Sequence, residues 1–64
     1  MINTKELKAH MVRKGLTQKE VAEKLKMSEK TFYLRMKKGV FGSDEIECLI
    51  ELLGIENPMS VFFT

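Results

Sequence analysis

The chain has 64 residues, enough for one domain around one small core and too few for a second domain or for the buried substrate pocket of most enzymes. Hydrophobic residues make up 44% and charged residues 31%, a balance that excludes an intrinsically disordered chain and a chain built of membrane spans. The net charge of +2 hides a division, because residues 1–38 hold eleven Lys and Arg against four acids (+7) while residues 39–64 hold five acids and no base (−5).

The first element is a helix over about 3–14. Asn3 caps it, Glu6 three residues later completes a capping box, and Ile2 and Leu7 stand where a hydrophobic staple places them. Leu7, Met11 and Val12 supply its apolar stripe, and Gly15 stops it by adopting the left-handed conformation at no steric cost. A second helix over 17–25 starts at Thr17, with Glu20 closing a second box and Val21, Ala22 and Leu25 on one buried face. Ser28 then caps a third helix over 28–38, in which Phe32 and Met36 lie one turn apart on the inside. Met27 and Met36 read as core filler.

Ser43 caps a fourth helix over 43–53, whose Asp44 and Glu45 favour its N-terminus and whose Ile46, Leu49, Ile50 and Leu53 form the apolar stripe. Gly54 ends it. Asn57-Pro58 opens a short helix over 57–63, with Val61, Phe62 and Phe63 docking onto the core. No segment alternates with period two, so the expected fold is all-α, four to five short helices in a single domain over 1–64.

Catalytic chemistry finds little material here. Cys48 is the single cysteine and sits among carboxylates that oppose thiolate formation, while His10, the single histidine, reads as a surface residue of the first helix. No disulfide, no common zinc ligand set, no nucleophile paired with a base and no phosphate-binding glycine loop can be assembled. The expectation is a non-enzyme with no cofactor, no metal and no small-molecule ligand. The N-terminal residues lack the basic start and apolar run of a secretory signal, and one free cysteine fits a reducing compartment, so a cytoplasmic location away from membranes is expected.

The positive part of the chain suits an anionic polymer, although a basic surface also keeps a small protein soluble. The informative run is Leu16 to Phe32. Two capped helices across a three-residue turn, with the small Ala22 letting them approach closely, meet the requirements of a helix-turn-helix. Leu16, Thr17, Gln18, Glu20 and Ala22 match the common opening of the phage repressor and Cro-like regulators. With a basic third helix, a glycine-containing loop and the Leu52-Leu53-Gly54-Ile55 and Val61-Phe62-Phe63 endings, the whole chain resembles small Cro-like proteins of phages and prophages of Gram-positive bacteria. Two positions depart from that pattern: Lys26 stands where the family has glycine in the turn, and Arg35, followed by Met36, stands where it has an aliphatic residue.

The resemblance implies a lambda-repressor-like DNA-binding domain that regulates transcription by binding a double-stranded DNA operator. It implies that Glu29, Lys30, Thr31, Tyr33 and Leu34 face base edges, Lys30 donating to guanine, Glu29 accepting from cytosine, and Thr31 and Leu34 touching a thymine methyl. Glu29 has an equal claim as a stabiliser of the helix N-terminus, and Tyr33 and Leu34 as packing against the following loop. Thr17, Gln18 and Ser28 at the helix starts, with Lys37, Lys38 and Ser43 around the loop after the third helix, are implied phosphate contacts; Lys14 and Lys19 are weaker ones. A helix of this kind spans few base pairs, so a homodimer, weak in solution and formed on DNA, is expected. Val61, Phe62 and Phe63 either supply its contact or, first of all, close the core of so small a chain. An antirepressor that uses this fold to bind a larger repressor is the rival expectation.

Overall fold

The computed structural model describes residues 2–62, and these form five α-helices: α1 (Thr4–Arg13), α2 (Gln18–Lys24), α3 (Glu29–Lys38), α4 (Ser43–Leu53) and α5 (Pro58–Phe62). Among the described residues there is no strand, and no helix is long and apolar enough to cross a membrane. The all-α expectation and the order of elements hold. Phe63 lies outside the described residues.

Four of the helices end in the same way. After α1, Leu16 N–H donates to Met11 O and Gly15 N–H to Val12 O, both near 3 Å, with Gly15 at φ +69°. The same pair of bonds, from the two residues after the helix back to its last turn, recurs at Lys26 and Met27, at Gly39 and Val40, and at Gly54 and Ile55. Each stop satisfies carbonyls that the helix leaves unpaired, and each needs one residue in the left-handed region. Glycine fills it at three of the four stops; at the turn between α2 and α3 it is Lys26, at φ +59°. The departure in the sequence is therefore a departure in side chain and not in backbone, and it stores on the order of 1 kcal/mol of strain.

The starts differ from expectation in two places. Asn3 does cap α1, its Oδ1 accepting from Glu6 N–H at 3.2 Å. The box is left open, however, because Asn3 N–H donates to Val61 O at 2.6 Å. Glu6 is released to face Arg13 and His10, at 3.9 and 4.0 Å, and His10 is half-buried there instead of lying on the surface. At α4 the cap position belongs to Gly42, with Ser43 as the first helical residue. Glu45, in the third position, accepts from Gly42 N–H at 2.7 Å, the reciprocal half of a capping box, while no side chain caps the helix as a serine would.

Among the described residues the core consists of Leu7, Met11, Val21, Ala22, Phe32, Met36, Phe41, Leu49, Leu53, Ile55, Val61 and Phe62, and no polar side chain is buried with them. Val12 is 78% exposed and leaves the expected stripe: it is a quarter-turn beyond Met11, which carries it to the outer side of α1. The loop after α3 adds a residue that helical periodicity misses, for Phe41 packs its ring on Phe32 at a centroid distance of 5.7 Å. Val61 is fully buried and Phe62 nearly so, and Asn3 N–H ties the N-terminal segment to Val61. Of the two roles open to these residues, closing the single-chain core is the one they perform.

Candidate nucleic-acid interface

The most extensive pairing of elements in the domain is α2 on α3. Ala22 is fully buried beside Val21, and a side chain of that size lets two helix backbones come close. Met27, half-buried on the core, fills the inside of the turn. Buried Phe32 and Met36 then fix the rotation of α3. Opposite them Glu29, Lys30, Tyr33, Leu34 and Lys37 recur at the spacing of one exposed helical face.

The doubt raised by Arg35 resolves in the tertiary structure. Met36 takes the inner position, and Arg35 turns toward α4, where its Nη1 pairs with Glu45 Oε1. The same Glu45 oxygen accepts from Gly42 N–H. One carboxylate thus ties the last turns of α3 to the start of α4. The pair is partly exposed, so its contribution is modest.

Most of the expected base-facing residues stand on this face, with one exception. Glu29 and Lys30 are exposed in the first turn. Tyr33 and Leu34 are 54% and 44% exposed, so half of each side chain stays in solvent whatever the loop covers. Thr31 leaves the group. It is half-buried, and it turns toward the cap, its Oγ1 2.9 Å from Ser28 Oγ while its N–H donates to that same oxygen at 3.1 Å. Ser28 is equally occupied, with both sides of its hydroxyl engaged by the first turn of α3.

The expected phosphate contacts divide into those around α3 and those elsewhere. Gln18 is half-buried at the start of α2, and with Tyr33 and Lys37 it lines an open groove of about 320 Å³ that Thr4 and Lys8 of α1 complete. Lys19 and Lys38 are exposed. Thr17 is held by its capping box, its N–H donating to the Glu20 carboxylate at 3.0 Å while its Oγ1 accepts from Glu20 N–H at 3.1 Å; the Thr17 backbone N–H first, and the Thr17 hydroxyl second, hold the Glu20 carboxyl below the usual glutamate range. Ser43 is exposed in a turn that already carries Asp44 and Glu45, so its surroundings repel an anion. Lys14 is separated from the rest. Its ammonium lies over Gly54, where it complements the negative end of α4, and it lines a different groove with Glu6 and Glu56 and no residue of α2 or α3.

Charge sorts the lysines further. Lys24 and Lys26 share a groove with Asp44 and Glu45, so the basic turn faces the acidic helix. Among the described residues only Arg13, Arg35 and His10 come within 4.0 Å of a carboxylate. Lys8, Lys30 and Lys37 do not, and their charge is available to an outside anion. Lys8 is the residue that the sequence reading missed, although a signal for it exists: Thr4 and Lys8, one turn apart, flank the Leu7 and Met11 stripe on the side of Val12. Among the described residues no cluster of side chains suits a metal ion. Compared with models of known protein families, with curated proteins and with solved structures, the chain matches none of them.

Proposed function

We propose that this protein is a non-catalytic, cytoplasmic, sequence-specific binder of double-stranded DNA that regulates transcription in the manner of a Cro-like repressor of a phage or prophage. The observation that carries the proposal is the α2–turn–α3 unit, whose exposed α3 face presents Lys30 and Lys37 free of any carboxylate partner among the described residues. A helix so mounted fits a major groove about 12 Å wide. Lys30 and Glu29, in its first turn, contact base edges, and Leu34 offers an apolar contact to a thymine methyl. Gln18, Lys37 and Lys38 hold phosphates and set the docking angle. Two copies bind a near-palindromic operator, with half-sites about 34 Å apart.

The test is selection from randomised duplexes followed by fluorescence anisotropy at several salt concentrations, with wild type and Lys30→Ala. Enrichment of a near-palindromic site, with specificity relaxed by the substitution, is the expected result. Absence of enrichment together with absence of salt-dependent binding would sink the proposal.

One observation favours the antirepressor reading: Tyr33, Leu34 and Val40 leave 54%, 44% and 60% of their surface exposed on α3 and the loop after it, and apolar groups of this kind suit a protein partner. Binding of that sort would fall little with salt, whereas neutralised phosphates make log affinity fall linearly with log salt.

A further inference from the structure

We infer that the groove between α1, α2 and α3 is a seat for one backbone phosphate of bound DNA, and that Lys8 of α1 closes it opposite Lys37. The inference rests on the DNA-binding reading and extends the protein's footprint beyond the helix-turn-helix to the first helix.

Three of the surface grooves among the described residues, of about 490, 440 and 320 Å³, differ in chemistry. Those beside α4 contain carboxylates, Glu6 and Glu56 in one, Asp44 and Glu45 in the other, and would repel an anion. The groove lined by Thr4, Lys8, Gln18, Tyr33, Met36 and Lys37 contains none. It offers two ammonium groups, a carboxamide, a phenolic hydroxyl and the Thr4 hydroxyl, all hydrogen-bond donors, above the nearly buried Met36. None of the four side chains Lys8, Gln18, Tyr33 and Lys37 forms a hydrogen bond or ion pair with another described residue. Two cations side by side repel one another unless an anion lies between them. Tyr33 and Lys37 belong both to this groove and to the exposed α3 face, so a phosphate held here lies beside the groove edge that α3 enters. A doubly flanked phosphodiester satisfies both lysines at once; it contributes about 0.9 to the slope of log affinity against log salt, a contribution that Lys8 and Lys37 share.

The experiment measures that slope on a labelled duplex of random sequence for wild type, Lys8→Ala and Lys5→Ala. Lys5 is an exposed lysine of the same helix that lines none of these three grooves. Circular dichroism establishes that each variant is folded. The expected result is a slope lowered by a measurable part of about 0.9 in Lys8→Ala, with affinity reduced to a similar degree on every sequence, and a wild-type slope in Lys5→Ala. The single tyrosine, in a chain without tryptophan, supplies a second readout: emission from Tyr33 changes on addition of duplex in wild type and Lys5→Ala. A wild-type slope in Lys8→Ala overturns the phosphate seat while leaving the DNA-binding reading intact. An equal loss in both variants also overturns it, since diffuse attraction then accounts for the effect. If wild type itself binds no duplex, both readings fall together.

Discussion

Lys26 is the residue at which the chain departs most plainly from what its backbone asks. It sits at φ +59° in a stop that glycine performs three times elsewhere in the same 64 residues. Lys26→Gly should therefore stabilise the domain by about 0.5–1 kcal/mol, since the left-handed strain disappears without loss of a packed side chain. For a domain of this size such a gain raises Tm by several degrees, and a thermal melt checks it. Glu20 offers a second test at this scale. Its folded form takes up a proton at a lower pH than an ordinary glutamate because the Thr17 backbone N–H, and to a lesser degree the Thr17 hydroxyl, favour the carboxylate. The stability that it contributes is thus complete above the usual glutamate range and is lost as the pH falls through the depressed value. In Thr17→Ala the Glu20 titration, followed by carbon-13 chemical shift, should move only part of the way back to the ordinary range, because the backbone N–H of residue 17, the larger cause, is kept. An unchanged titration would mean that the Thr17 hydroxyl has no part in it.

Between elements, the decisive contact is the carboxylate of Glu45. It serves the N-terminus of α4 through Gly42 and the end of α3 through Arg35, so it couples the exposed face of α3 to the acidic half of the chain. Glu45→Gln keeps an oxygen for Gly42 N–H and removes the ion pair. Because the pair is partly exposed, the expected loss of stability is below about 1 kcal/mol and shrinks further in high salt; chemical denaturation at two salt concentrations measures it. The same arrangement explains why the rotation of α3 was only half legible in the sequence. Phe32 was plainly internal, but the choice between Arg35 and Met36 as its neighbour depended on whether a carboxylate from ten residues further on came within reach. Val12 illustrates the converse, an apolar residue beside a clear stripe that the helix geometry turns outward.

At the scale of the molecule, twelve apolar side chains form the core, and each carries a large share of a small stability. Phe32→Ala, which removes a fully buried ring and its contact with Phe41, should cost about 3–5 kcal/mol, enough to leave much of the population unfolded; urea titration followed by circular dichroism measures the loss. Val61 and Phe62 are committed to this core, in keeping with a dimer that is weak in solution and forms on DNA. Sedimentation should accordingly find one copy in solution and two copies on a near-palindromic duplex. A tight dimer without DNA would contradict that expectation.

What the sequence determined by itself is local: the five helices, their starts at Asn3, Thr17 and Ser28, their glycine stops, and the unusual backbone at Lys26. Each of these depends on residues within about five positions of one another, so the relevant atoms meet whatever the rest of the chain does. The tertiary structure alone decided the rest. It gave Asn3 N–H to Val61 and so freed Glu6, it laid Lys14 over the end of α4, and it brought Lys8 into one groove with Gln18, Tyr33 and Lys37. These outcomes join residues that are far apart in the chain or compete for one partner, and the angles at which the helices pack determine which of the possible pairings is within reach.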